Sequence, residues 1–475
     1  MARPVLRQVS FGDAELRAQA IGRNPRLEAI AKLLDTQRDL IEKVARDLRT
    51  GLKKPRTGRA GLSPFQVLRA FVLQRMENLD LRSLSERISD GISWRIFAGF
   101  DTQPVPRHQA FNRAFNRLNA DTIRQINGAV VKWAVNAGLE DGKRLRVDTT
   151  VVETDIRFPS DSSLLWDCVR VITREVKRLA EDAPKAARGF QDHTRKARRR
   201  FQEISRMTRQ QRHSQQVPKY RDLIRTTEHA LGAARMVLPK ARKKADSCGE
   251  LMRGIRLRAQ CDLIEHYGAL ADRVLDQTRR RVLQKETVPV AEKIFSIFEP
   301  HTDCIVRGKA QKPVEFGHKV FLAESGHGLI TDYKVLDGNP QDEIHVGPSL
   351  DRHKQSFGQA PEVFAGDRGF YSVANLKACR DHGVQIESIP QRGGGKSVER
   401  EAFEKTRAFK QAQAFRAGVE GRISVLMRGR GMRRCLANGR ARFDTFVGVA
   451  VLANNLLILA ELLRKKKGAR KKPAA

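Results

Sequence analysis

At Leu145 the hydrophobic period of this chain changes. Upstream, apolar residues recur at helical spacing. From Leu145 they alternate, with Leu145, Val147, Thr149 and Val151 set against Arg146, Asp148 and Thr150. Strand character then gives way to a long Lys- and Arg-rich helical stretch and returns only after Pro300. A lone strand cannot pair its own backbone, so its partners must lie beyond the helical stretch. That stretch, residues 163–290, therefore reads as an insertion that interrupts a sheet domain.

Later strands are expected at Thr302–Val306, Glu315–Glu324 and Gly328–Leu336, with Ser325-Gly326-His327-Gly328 as a hairpin turn and Asp337-Gly338-Asn339-Pro340 ending the next strand. A short apolar run, Glu362–Ala365, delivers Asp367. Ser372 caps a helix that ends before Gly383, Val384–Ile389 is a further strand, and helices fill most of Val398–Leu463. Within the insertion, Val217-Pro218 and Leu238-Pro239 predict breaks between long helices folding back on one another. The fold class expected is α/β: a ribonuclease-H-like mixed sheet flanked by helices, with an all-α N-terminal domain and a long basic helical insertion. The boundaries are 1–140 for the N-terminal domain, 141–463 for the interrupted sheet domain and 464–475 for a basic disordered tail.

In the N-terminal part, Ser63-Pro64 starts a helix carrying Val67, Leu68, Phe71 and Val72. Short helices in a basic protein permit a helix-turn-helix reading, with 107–117 facing DNA, as readily as a packing or dimerisation module. The late apolar stretch Phe446–Leu463 contains Asn454, Asn455 and Glu461, and is expected to be a buried helix and not a membrane span. The N-terminus lacks the apolar core of a signal peptide. Six cysteines without paired or His-linked spacing argue against a zinc site or a disulfide framework, and fit reduced thiols in a cytoplasm.

The charge names a partner. Ninety Lys and Arg oppose 54 Asp and Glu, a net charge of +36 spread along the whole chain. Such a field concentrates phosphate backbones. Against it stand two aspartates in β-prone surroundings, Asp148 in Arg146-Val147-Asp148-Thr149-Thr150 and Asp367 in Gly366-Asp367-Arg368-Gly369-Phe370-Tyr371. Aspartate is depleted in strands, so one placed mid-strand calls for a reason. Carboxylates fixed on adjacent strands suit a divalent metal that handles phosphate. A third is expected from a following helix, with Glu399, Glu401, Glu404 and Glu420 available. Glu420 stands out because Arg416 precedes it by one turn, although an ordinary i,i+4 surface pair would look the same.

Over nearly its whole length the chain resembles prokaryotic insertion-sequence transposases of the DDE type. Val147–Thr154 looks like the first catalytic strand of that family, and Phe158–Leu165 like the lead into the helical insertion found in a subset of it. Gly366–Tyr371 looks like the second motif and is the most specific match. The C-terminal motif Tyr-x2-Arg-x3-Glu-x6-Lys is met at Arg416 and Glu420, departs at Gln413 and Met427, and leaves Arg428 as a substitute for the lysine.

The resemblance implies a DNA transposase that cuts the ends of an insertion sequence and joins them to target DNA. Asp148, Asp367 and Glu420 would be catalytic and would hold Mg²⁺ or Mn²⁺, two ions in all. Arg368, Arg416, Arg428 and the run Arg198, Arg199, Arg200 would contact DNA. The expected partners are double-stranded DNA, at element ends and target, and further copies of the chain in a homodimer or larger assembly. No membrane is expected, and the setting would be a nucleoid-associated cytoplasm. Two other readings stay open: a nuclease of the same fold without strand transfer, and a catalytically silent DNA-binding derivative. His318 and His345 are expected to be core or surface histidines.

Overall fold

The computed structural model describes residues 10–36, 38–52, 61–306 and 313–470. Residues 1–9, on which the signal-peptide expectation falls, and residues 471–475 of the expected tail lie outside these. The first part is a run of helices: α1 (Phe11–Ala20), α2 (Pro25–Asp35), α3 (Arg38–Arg49), α4 (Pro64–Met76), α5 (Leu81–Asp90), α6 (Ile92–Ala98), α7 (His108–Phe115) and α8 (Ala120–Asn136). Their starts follow the caps available. At α4, Ser63 and Gln66 exchange side-chain and backbone hydrogen bonds in a capping box, with Pro64 as the first helical residue.

Seven strands follow in chain order: β1 (Arg144–Thr154), β2 (Asp303–Val306), β3 (Val314–Ser325), β4 (Ile330–Val335), β5 (Val363–Ala365), β6 (Ile386–Ser388) and β7 (Arg434–Cys435). Between β1 and β2 come α9 (Asp161–Asp182), α10 (Thr194–Ser205), α11 (Arg209–Asp246) and α12 (Leu251–Thr278). Later helices are α13 (Val346–Phe357), α14 (Val373–Asp381), α15 (Val398–Lys405), α16 (Arg407–Ser424), extended by a π-helical turn Val425–Gly429, and α17 (Arg440–Arg470).

The chain divides into two compact units. One holds the described residues up to Glu153 and from His318 onward; the other is Thr154–Gly317. The interruption is thus wider at both ends than the expected 163–290. In this second unit α9 to α12 share a core that includes Leu165, Val169, Leu223, Leu231, Leu257 and Ile264, and β2 pairs antiparallel with the first residues of β3. α11 runs unbroken through Pro218 and Pro239, contrary to the breaks expected there. Each proline removes one helical hydrogen bond. Buried Leu223, Leu231, Ala234, Val237, Leu238 and Ala241 keep the helix seated regardless.

In the first unit the sheet has the order β4-β3-β1-β5-β6, and β7 pairs with β1. β3 and β4 are antiparallel, whereas β1–β5 and β5–β6 are parallel. Both faces are covered. Val320 and Leu322 of β3 pack with Phe446, Val447 and Val451 of α17, while Phe321 and Ala323 pack with Leu350 of α13 and Leu376 of α14.

α17 is apolar on all sides and buries each of them. Its Leu452, Leu456 and Leu459 enter one core with Leu27, Leu68, Phe111 and Val130 of the N-terminal helices. Residues 1–140 are therefore not a separate domain, because α17 joins them to the sheet. A window of this helix is long and apolar enough to cross a membrane, and 78% of that window is buried inside the protein. α17 also continues to Arg470, so residues 464–470 are helical and not part of a disordered tail. All six cysteines are free.

Candidate active site

Arg146 of β1 lies opposite Ala365 of β5 in the parallel pair. Asp148 and Asp367 each follow that pair by two residues, and equal steps along neighbouring parallel strands carry them to the same end of the sheet. Asp367 keeps an extended backbone just past β5, and its Oδ1 accepts the Gly369 amide N–H at 2.8 Å. Asp148 Oδ1 accepts the Thr149 amide N–H at 2.7 Å.

One guanidinium connects these to the helix. Arg416 Nη2 is 3.0 Å from Asp148 Oδ2 and 3.8 Å from Asp367 Oδ2, and Nη1 is 3.3 Å from Glu420 Oε1. The Arg416–Glu420 pair is more than a surface i,i+4 contact, since the same arginine reaches both strand carboxylates. Arg416 was expected to contact a DNA phosphate; its terminal nitrogens face the carboxylates of Asp148, Asp367 and Glu420. Glu399, Glu401 and Glu404 are elsewhere engaged. Glu404 holds Lys396, Arg400 and the Gln391 amide, Glu401 pairs with Lys405, and Glu399 sits in the first turn of α15.

Burial pushes the Asp148 carboxyl up to about 6. Arg416 and the Thr149 amide pull it down, while Asp367 and Asp342 push it further up. Asp342 was not singled out from the sequence. It opens the 3₁₀ turn Asp342–His345, and its Oδ1 is 2.8 Å from Lys319 Nζ of β3. Its Oδ2 would lie 3.0 Å from a Cβ at Gly369, so only glycine fits there without a shift. The turn residues at 337–340 signalled the end of β4, but nothing local showed that the chain then returns toward Asp148.

α16 is fastened to the sheet by side chains from both. Gln413, which departs from the tyrosine of the resembled motif, donates from Nε2 to Ser388 O at 2.7 Å and to Gly366 O at 3.3 Å. Arg146 donates to Phe415 O at 2.5 Å and to the buried carboxylate of Glu324 at 2.9 Å. Gly418 makes room for this guanidinium, since a Cβ there would meet Arg146 Nη1 at 2.3 Å.

The other expected residues are dispersed. Arg368 is exposed beside Asp367. Arg428 is exposed and donates to Ser424 Oγ at 3.1 Å, whereas Met427 packs against the sheet core. In the helical unit Arg198 and Arg199 are exposed, and Arg200 is half-buried and paired with Asp222 and Glu203. Arg117, in the expected DNA-facing stretch, donates to Leu48 O at 2.9 Å and so ties α7 to α3. His318 is buried beside Phe443, and His345 is buried against Phe321.

Asp148, Asp367 and Glu420 offer oxygen donors only, a set suited to Mg²⁺ or Mn²⁺. Among the described residues, the acidic and histidine ligand atoms that all fall within 4.8 Å of one another belong to Glu140, Asp141 and His327. The Glu140 carboxylate is already satisfied there by Ser325 Oγ and the amides of Asp141, Gly142 and His327, and it fastens the β3–β4 turn.

Residues 15–117 match the family model described as Transposase domain (DUF772). This match covers most of the N-terminal helical layer and supports an insertion-sequence transposase. No curated protein and no solved structure matches the chain.

Proposed function

We propose that this chain, which carries a transposase domain at its N-terminus, is an insertion-sequence transposase of the DDE type, with Asp148, Asp367 and Glu420 as its catalytic carboxylates. The observation that carries the reading is the convergence of these three acids, from β1, the end of β5 and α16, on Arg416. The strand order, with three mutually parallel strands (β1, β5 and β6) beside the antiparallel pair β3 and β4, supports a ribonuclease-H-like core.

The donor set fits a divalent ion: all oxygen, and at Asp148 a carboxylate whose burial raises its proton affinity unless a cation offsets it. Bound by Asp148 and Asp367, with Glu420 completing the set, such ions supply an activated attacking oxygen and charge neutralisation at the leaving oxygen. The chain's own residues supply position. Hydrogen-bonded strands fix two carboxylates, and Gln413 and Arg146 fix the helix that carries the third. Arg416 balances the cluster. Were divalent cations to carry that charge, its guanidinium would be available to a phosphate of bound DNA.

Water, and then the freed 3′-hydroxyl, attacks phosphorus as the opposite oxygen leaves. Two element ends must be processed together, so the working form is a dimer or larger assembly on double-stranded DNA. Cleavage of an element-end duplex with Mg²⁺ or Mn²⁺ tests the third carboxylate. Glu420→Gln is expected to lower the rate by at least about a hundredfold with DNA binding retained. A rate within a few fold of wild type would remove Glu420 from the site.

A further inference from the structure

α4, α5 and α7 meet the segment Gly431–Phe446 around a cavity of about 840 Å³. Four arginines line it. Arg434 is paired with Glu153 at the end of β1, and Arg82 and Arg442 are exposed. Arg75 differs from all three. Its Nε is fully buried and has no hydrogen-bond partner, and its guanidinium lies 4.1 Å over the Phe446 ring. No carboxylate among the described residues offsets it, and burial pushes it down to about 10. Asp80 also lines the cavity, but its carboxylate caps α5 through the amides of Arg82 and Ser83.

A cation desolvated without an anion is costly, and an anion entering the cavity would offset Arg75, whose Nε is fully buried. The surroundings suit a phosphate. Asn78 and Asn112 offer neutral amides, and Arg82 and Arg442 add charge. Gly431, at positive φ, lets Asn78 and Arg75 pack directly against its backbone, since a Cβ there would collide with Asn78 Oδ1 and fall 3.2 Å from Arg75 Nη1.

We propose that this cavity binds a backbone phosphate of DNA, with the half-buried Arg75 as the anchor and Arg82 and Arg442 flanking it. The proposal rests on the DNA-processing reading above and adds to it a site away from the carboxylates. Arg434 ties the cavity to Glu153, five residues past Asp148 on β1. At about 3.3 Å per residue this is about 17 Å along the strand.

The test measures binding of an element-end duplex across a salt series, in the Asp148→Asn background so that no cleavage intervenes. Arg75→Met is expected to weaken binding about tenfold and to reduce the salt slope by about one, and the Arg82→Ala/Arg442→Ala pair to reduce it by about two. The melting temperature of free Arg75→Met is expected to hold or rise, because an unoffset buried charge is removed. A single methylphosphonate at the contacted position should weaken wild type and leave Arg75→Met unaffected.

Unchanged affinity and slope in both folded variants would overturn the proposal. So would a lower melting temperature for Arg75→Met with unchanged binding, which would make Arg75 a packing residue. Arg75-dependent binding of inorganic phosphate or a nucleoside triphosphate, with duplex binding unaffected, would reject DNA as the source. Because binding is read without cleavage, failure of the transposase reading in the cleavage assay leaves this result separately interpretable.

Discussion

Asp148 is held in an environment that disfavours its charged form. Its pKa is raised from 3.8 to about 6, chiefly by burial. The folded protein therefore binds this proton more tightly than the unfolded chain does between those two values. Stability from this group falls as pH rises through that window and stays reduced above it, by on the order of 3 kcal/mol. Asp148→Asn should accordingly raise the melting temperature at pH 7 and change it little at pH 4, which thermal unfolding at the two pH values would show. Arg416 acts in the opposite sense, lowering the Asp148 pKa. In Arg416→Ala the titration of Asp148, followed by carboxylate NMR in the metal-free protein, should move above 6. A shift downward would mean that the guanidinium is not the cation Asp148 feels.

At the scale of elements, α11 is the clearest departure from expectation. Both of its prolines are exposed, so each costs the helix a hydrogen bond without contributing to the core. Pro218→Ala or Pro239→Ala should stabilise the helical unit by about 1–3 kcal/mol, measured by denaturant unfolding. A loss of stability would show that the local bend is needed. The prolines misled because a local breaker signal was set against packing along a whole helix face, and packing prevailed.

The strands were more legible. β1, β3 and β4 announce themselves by alternation and turn residues, and the matched positions of Asp148 and Asp367 follow once β1 and β5 are paired. Asp342 was not legible, because its approach to Asp148 depends on where the chain travels after β4. Gln413 was visible only as a departure from a motif. Its hydrogen bonds to Ser388 and Gly366 give that departure a structural role. The separate N-terminal domain failed for a comparable reason: α17, read correctly as a buried helix, buries two faces against two layers.

At the scale of the whole molecule, the charge of +36 overstates what is available to DNA. Much of the basic helical unit is tied internally, as in Arg242 with Asp262 and Glu265, and Arg280 with Glu286 and Glu292. Composition reports the charge but not which guanidiniums are already engaged. In the first unit one arginine, Arg416, reaches an acidic centre made from β1, the end of β5 and α16. The central claim is that this centre cuts and joins DNA. The most direct test is cleavage and strand transfer on an element-end duplex with Mg²⁺ or Mn²⁺, comparing wild type with Asp148→Asn and Asp367→Asn. The account predicts metal-dependent products in wild type, loss of both products in each variant, and DNA binding retained. Cleavage that survives either substitution would contradict it.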